Sequence, residues 1–475
     1  MAGDMDRVYR QTVKDACRPK LELSRRRMLQ IGAASAAIAV AGPYGKSAAE
    51  GTHGPGWYTD DKLTGEITIY TFSGQRWELP ARGVLPIFNE RFPNVKVNIS
   101  AVPISEGITK GVMLASAHSS DLDALLVHAG EMAAINNAGA QEPLQGYLDK
   151  DPGWLENYLA EVPADITKNY RIPQTREGQL FAIPTDGNTH IMFYRSDLFK
   201  EAGLSVPKTW DDAIAACKAL HKPEKDQYGF ICWARRGLYS ALSFQQIFCT
   251  NGGRMFDSEG KGGWHPQFNN DKGRIALETL TRLMKYAHPV TLNAVDDEVN
   301  TALANGTAVF APFTGGTTIL NDAKYTKFHD VFATDLAPHN PVPGGDVNIL
   351  AGFGMYVNAY SDNKQAAFEF IKHLASGDYT DTRIGKALAE NFGQPVRLPL
   401  LEKYASIRPH FVGLKKSFEL PQIPVIPLLP EGITIHEVVG NEVSAYLAGE
   451  KKMDDALKAM DDNVTQVMTD GGYYK

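Results

Sequence analysis

The sequence predicts an α/β protein built on two sheets joined by a crossing segment. Strand-like and helix-like stretches alternate through the first half of the chain, the pattern of sheets whose neighbouring strands are linked by helices. The stretch 180–194 then breaks that pattern: two apolar runs of strand length flank Thr185-Asp186-Gly187-Asn188-Thr189-His190, which follows Pro184. A continuous buried strand is not interrupted in this way; a chain leaving one sheet and entering another is. With the first fifty residues set aside, 425 of the 475 residues remain, enough for two or three cores.

The first fifty residues read as a leader rather than as fold. Ser24-Arg25-Arg26-Arg27-Met28-Leu29 resembles a twin-arginine export signal with Met where Phe is usual, and an alanine-rich run follows to residue 41. That run is too short and small-sided to span a bilayer. Ser47-Ala48-Ala49 places small residues at −3 and −1 of a cleavage point, so the signal is expected over 1–49 and the mature protein in the periplasm. Removing the first fifty residues takes away nine Lys and Arg and five Asp and Glu, leaving 39 against 50, a net of −11. That balance argues against nucleic acid or an anionic membrane surface as partner. Cys217, Cys232 and Cys249 remain. Cys232 and Cys249 are possible disulfide partners, with buried free thiols the favoured reading.

The elements follow in order. Residues 66–72 alternate as a strand that breaks at Ser73-Gly74; a helix ends at Phe92-Pro93, and Val95, Val97 and Ile99 alternate as a second strand. A helix over 106–117 and a short buried strand over 122–127 come next, the latter ending in His128-Ala129-Gly130-Glu131. Such a sheet is expected to be mostly parallel, with ligands beyond the carboxyl ends of its strands. After the crossing segment, Asp197 is expected to cap a short helix that Gly203 stops. Thr209-Trp210-Asp211-Asp212 reads as a capping box with Asp at N3, and Trp210 as a structural residue. Strands are expected over 227–233, 307–311 and 351–357, helices over 238–248, 272–287, 297–304, 363–375, 438–448 and 453–468, and an extended linker over 420–430. The turn-rich stretch 257–263 lacks the spacing and terminal Glu of a calcium loop and reads as a hairpin.

A resemblance rests on particular residues. Ala182-Ile183-Pro184-Thr185-Asp186-Gly187-Asn188, Tyr194-Arg195-Ser196-Asp197-Leu198-Phe199, Glu201-Ala202-Gly203-Leu204 and Val206-Pro207-Lys208-Thr209-Trp210-Asp211 together resemble the extracellular solute-binding proteins (family 1) of carbohydrate ABC importers. Asp362-Asn363-Lys364-Gln365-Ala366-Ala367 fits the same family, and its usual Gly-Trp-Gly stands here as Gly352-Phe353-Gly354. The resemblance implies a two-lobed periplasmic binding protein fold, type II-like, with discontinuous lobes joined by hinge segments. The implied boundaries are 62–185 plus 355–397 for the first lobe and 190–350 plus 398–475 for the second. It implies capture of a sugar or polyol by hinge closure, delivery to ABC permease subunits driven by a cytoplasmic ATPase, no cofactor, and a monomer. An anionic sugar derivative as ligand and a secreted carbohydrate-active enzyme are the rival readings.

No catalytic signature has supporting context, and the twelve histidines show no close pair at metal-ligand spacing. A paired-carboxylate hydrolase using Glu131 and Asp186 is the enzyme rival. Sugars need planar carboxylates and amides for hydroxyl pairs and aromatic faces for C–H surfaces. Asp186 and Asn188 supply the first in the crossing segment. Trp77, Trp233, Phe313 and Phe353 supply candidate faces, with Phe72 as a further one. His128 ends a strand, Gly315 adjoins Phe313, and Arg76 and Arg235 are candidate donors. Arg397 lies in Gly393-Gln394-Pro395-Val396-Arg397, which resembles the family's Gly-x-Pro-x-Arg. A carboxylate at Asp186 accepts two hydroxyls at once, so Asp186→Ala is expected to cost affinity roughly tenfold to a hundredfold while leaving or raising the stability of the empty protein; an Asp186 that only caps the turn before Gly187 would instead lower that stability and leave affinity nearly intact.

Overall fold

The computed structural model describes residues 52–474 except 174, 259–261 and 316–317, and the side chains of all these but 105, 108 and 109. The export signal and its cleavage point lie outside the described residues.

Strand β1 (Gly65–Phe72) buries Ile67 and Ile69 completely and leads through a loop to helix α1 (Glu78–Arg91). β2 (Val95–Val102), helix α2 (Ile104–Ser116) and β3 (Ala124–His128) continue the alternation. β4 (Ile183–Asp186) precedes the crossing segment and β5 (Ile191–Arg195) follows it. Helices α3 (Trp210–Leu220), α4 (Leu238–Thr250) and α5 (Asp296–Asn305) come before β6 (Phe310–Thr314) and β7 (Phe332–Leu336). β8 (Asn348–Leu350) and β9 (Phe353–Val357) then lead into α6 (Lys364–Ser376). Helix α7 (Phe411–Phe418), strand β10 (Gln422–Pro424), α8 (Gly432–Leu447) and α9 (Met453–Asp470) close the chain.

The first sheet has the order β2-β1-β3-β9-β4 and the second β6-β5-β7. The expected parallel pairing holds for β2, β1 and β3, each joined to the next through a helix. It fails elsewhere. β9 runs antiparallel to both β3 and β4, and β5 antiparallel to both β6 and β7. The reason is the crossing. β5 starts where β6 and β7 end, with Ile191 opposite Thr314 and Leu336, because it enters from the other sheet. The same geometry lines up the carboxyl ends of β3 and β4 with the start of β9, since Phe353 is opposite both His128 and Asp186.

The crossing is made by paired segments. His190 N donates to Ile349 O at 3.1 Å, Ala351 N to Asn188 O at 2.7 Å and Gly187 N to Gln394 O at 2.6 Å, while β8 pairs in parallel with β10. A side-chain network fills the space beside them. His190 Nδ1 is 2.9 Å from Gln246 Oε1, Gln246 Nε2 donates to Asn348 Oδ1 at 3.1 Å, and Asn348 Nδ2 donates to His190 O and Ser417 Oγ, each at 2.6 Å. With Gln246 Nε2 engaged as a donor, its oxygen accepts, which assigns the His190 proton to Nδ1. Burial pushes the His190 imidazolium pKa down to about 4, so the ring is neutral at pH 7. Gly352 permits the close approach: a Cβ there would sit 2.7 Å from the Asp186 carbonyl oxygen.

Several local expectations meet the structure directly. Thr209 Oγ1 accepts from Asp212 N at 3.2 Å and Asp212 Oδ2 from Thr209 N at 3.0 Å, completing the capping box. Trp210 is buried and donates from Nε1 to Thr250 Oγ1 at 3.0 Å. The three cysteines are buried and free. Asp197 does not cap its helix. It lies inside the segment Ser196–Glu201 and forms a two-point pair with Arg195, at 2.7 Å and 2.5 Å, which uses both carboxylate oxygens. The stretch 227–233 makes isolated bridges, Tyr228 to Ala308 and Phe230 to Ala287, rather than a ladder strand. Part of the extended linker, in turn, is the short strand β10.

Candidate functional site

Arg76 leaves the loop after β1 and reaches the end of β4. Its Nε donates to Asp186 Oδ2 at 2.8 Å and its Nη2 pairs with Oδ1, so both carboxylate oxygens are engaged. Both side chains are buried. Bidentate guanidinium–carboxylate pairs are the strong, geometrically fixed kind of ion pair. Burial pushes the Asp186 carboxyl up and Arg76 holds it back down. The guanidinium also lies over two rings, 4.9 Å from the Trp77 centroid and 5.4 Å from that of Phe353.

These rings belong to a cluster. Phe353 meets Phe72, Trp77 and His128 edge-on at 5.6, 5.4 and 5.2 Å, the arrangement that ring quadrupoles favour. His128 Nδ1 accepts from Gly130 N at 3.1 Å, which leaves the ring proton on Nε2. Burial, with Arg76 and His436 adding to it, pushes this His down to about 4. Beneath it, Glu131 Oε2 accepts from His128 N at 3.3 Å, and burial pushes the Glu131 carboxyl up to about 8. Sequence reasoning singled out Arg76, Trp77, His128, Asp186 and Phe353 separately; the fold brings all five together. A cavity of about 20 Å³ bounded by Arg76, Trp77, Asp186 and Gln394 has room for one water. A solute of sugar size has to lie on the open side of the cluster.

The second sheet supplies a different set. Trp233 is buried, packs against His190 at 5.0 Å and Phe313 at 6.5 Å, and donates from Nε1 to Asp296 Oδ1 at 3.1 Å. Phe313 itself is fully buried between Trp210 and Trp233, so it backs the wall instead of presenting a face. Arg235 is exposed, with its guanidinium 4.9 Å from the Tyr239 centroid. Asn188 is buried in the crossing segment and its Oδ1 has no hydrogen-bond partner among the described residues. Gly315 makes room for it: a Cβ there would be 2.5 Å from that oxygen.

Arg397 stands apart from both sets. Its Nε donates to Ala375 O at 2.7 Å and its Nη1 to Asn157 Oδ1 and Glu161 Oε2 at 2.6 and 2.7 Å, while its guanidinium lies 5.1 Å from the Tyr158 ring. It is 1% exposed, clamped among helices, and offers the solute nothing.

Asp296 was missed by the sequence reasoning, which saw only a helix starting at 297. It opens α5, is exposed, and yet is crowded by protein that pushes its carboxyl up to about 6, against the pull of Arg76 and the Trp233 indole. A group both wetted and crowded sits in a concavity. Arg76 leaves the loop after β1 and Asp296 belongs to the elements around the second sheet, and the pull of Arg76 on the Asp296 carboxyl brings these two residues near one another. Among the described residues, no group of three or more His, Cys, Asp or Glu is placed to hold a metal.

Two sheets, a doubly paired crossing and a concavity between donor and acceptor walls define a two-lobed α/β binding protein. Residues 74–380 match the bacterial extracellular solute-binding proteins, and the chain belongs to that family. A mannitol-binding protein of Pseudomonas aeruginosa is 25% identical over 354 residues, 68% of this chain and 78% of that protein. A solute-binding protein of Agrobacterium vitis with bound D-mannitol shares its fold, with a TM-score of 0.71 and 23% identity over 86% of this chain and 100% of that one. A ribitol complex from Agrobacterium radiobacter superposes with a TM-score of 0.70 at 21% identity, over 85% and 99% of the two chains. The family binds solutes for ABC transporters and does not transform them, which sets aside the carbohydrate-active enzyme.

Proposed function

We propose that this protein captures a neutral polyhydroxylated solute, a polyol or small sugar, in the periplasm and hands it as a monomer to an ABC permease. The lobes we assign are 62–185 with 355–397 and 190–350 with 398–475, closing about the crossing segments by a hinge motion of the kind known for periplasmic binding proteins. The mannitol, ribitol and mannitol-binding relatives support the ligand class.

The observation that carries the reading is the charge state of the arginines. An anionic sugar derivative needs a free cation. Arg76 is already neutralised by Asp186 and Arg397 by Glu161, and Arg236 pairs with Glu450 at 2.6 Å. Arg235 keeps its charge, but it lies on the Tyr239 ring, which Asp296, Asp297 and Glu298 also surround. Asp296 adds a further negative charge. What remains, a stacked guanidinium with spare donors, ring faces and an acceptor carboxylate, matches hydroxyls and C–H surfaces. A micromolar complex needs about 8 kcal/mol.

Titration calorimetry of the mature protein against polyols, neutral sugars and sugar phosphates tests this. Binding of at least one neutral compound is expected, with its phosphorylated counterpart weaker. Tight binding of the phosphorylated compounds alone would refute it.

A further inference from the structure

We propose that Asp296 is a ligand-binding residue that sets the solute class, accepting hydroxyl hydrogen bonds on the wall opposite Arg76 and excluding solutes with negative charge at that point. The inference deepens the reading above and rests on it.

The geometry comes first. Trp233 Nε1 fixes one oxygen of Asp296 at 3.1 Å, and Trp233 is itself packed against His190 in the crossing network. A carboxylate has about four acceptor positions; the indole and the residue's own backbone N–H take two of them, so half its capacity is open, and the residue is exposed. Across the site, Asp186 takes two of the five N–H donors of Arg76. A diol between the walls can accept from Arg76 and donate to Asp296. One hydroxyl group does both, which an ionised carboxylate or a phosphate dianion, having no donor, cannot do.

The surrounding charges point the same way. Asp297 and Glu298 lie beside Asp296 on α5. Tyr239, whose hydroxyl is pushed up to about 12, faces it from the start of α4, with Arg235, just before that helix, against the Tyr239 ring, and Arg76 acts on it from the first sheet. Counting Asp186, four carboxylates meet two guanidiniums, so an anionic solute enters against the local field.

The crowding that pushes Asp296 up to about 6 gives the idea a pH signature. Hydroxyl donation needs the ionised carboxylate, so affinity is constant above that value and falls as pH drops through it. His128 and His190, pushed down to about 4, stay neutral between pH 5 and 7.5, and Glu131, pushed up to about 8, stays largely protonated.

The test is calorimetry at pH 7.5 and pH 5 with D-mannitol, ribitol and maltose as neutral probes and mannitol 1-phosphate as the anionic one. It uses wild type, Asp296→Asn and, as a neighbouring control, Asp297→Asn. Wild type and Asp297→Asn should bind the tightest neutral probe roughly tenfold more weakly at pH 5 than at pH 7.5, one proton's worth. Asp296→Asn should be at least about tenfold weaker at pH 7.5, flat with pH, and less selective against mannitol 1-phosphate. In parallel, the Trp233 indole N–H resonance should titrate near pH 6 in wild type and not in Asp296→Asn, which also shows that the variant is folded. If a neutral probe binds wild type but Asp296→Asn keeps the same affinity and pH profile, this inference is overturned and the functional reading stands. If none of the three neutral probes binds wild type, the reading falls and takes this inference with it.

Discussion

Asp186→Ala should destabilise the empty protein by about 3–5 kcal/mol, because it leaves the Arg76 guanidinium buried without its counter-charge. Arg76 is only 7% exposed, and both donors that now hold Asp186 would lose their acceptors. This reverses what the sequence suggested. An aspartate with two oxygens free for hydroxyls would relax when removed; one already gripped at both oxygens holds the loop after β1 against the end of β4. Affinity should fall as well, since Arg76 is released from its place over Trp77 and Phe353. Replacing both partners, Asp186→Leu with Arg76→Met, should recover much of the stability and none of the affinity. Urea unfolding of the two single variants and the double variant measures this. Wild-type stability in Asp186→Ala would mean that the pair is not the clamp described.

Phe353→Ala should cost about 3–5 kcal/mol, the range for emptying a buried aromatic site. The ring is 4% exposed and is the common neighbour of Phe72, Trp77 and His128. Its loss removes one of the two faces that hold the Arg76 guanidinium, so binding should weaken together with stability. Phe353→Trp, the residue usual in the family, has to fit an already closed cluster and should cost about 1–3 kcal/mol of overpacking. Denaturation midpoints with calorimetry on both variants check the pair of effects. Unchanged stability in Phe353→Ala would show that the cluster does not depend on this ring.

What the sequence made legible is what local pattern controls. The alternation of Ile67 and Ile69, the Thr209–Asp212 box and the polar interruption at 185–190 each have a short-range cause; the first two appear where expected, and the third begins at Gly187, because Thr185 and Asp186 still belong to β4. Strand direction in the second sheet was not legible, because it depends on which end of the sheet the chain enters. The stretch 227–233 has strand composition but no ladder partner along its length, and composition cannot report that.

Site residues divide along the same line. His128, Asp186 and Phe353 were readable because strand ends and glycines mark them. Their grouping with Arg76 was not, since Arg76 and Asp186 lie 110 residues apart. Arg397 looked like a ligand contact because of the motif around it, but its partners Asn157 and Glu161, 240 and 236 residues away, occupy it. Asp296 left only the trace of an acidic first helical turn, a feature that the helix dipole explains without any ligand. Its partner Trp233 is 63 residues away.

The central claim is that two lobes close on a neutral solute between the Arg76 and Asp296 walls. Small-angle scattering of the mature protein, with and without a saturating polyol or sugar from the calorimetric panel, tests it most directly. The account predicts a smaller radius of gyration in the complex, with the fold of each lobe unchanged. Curves that superimpose at saturation would contradict it.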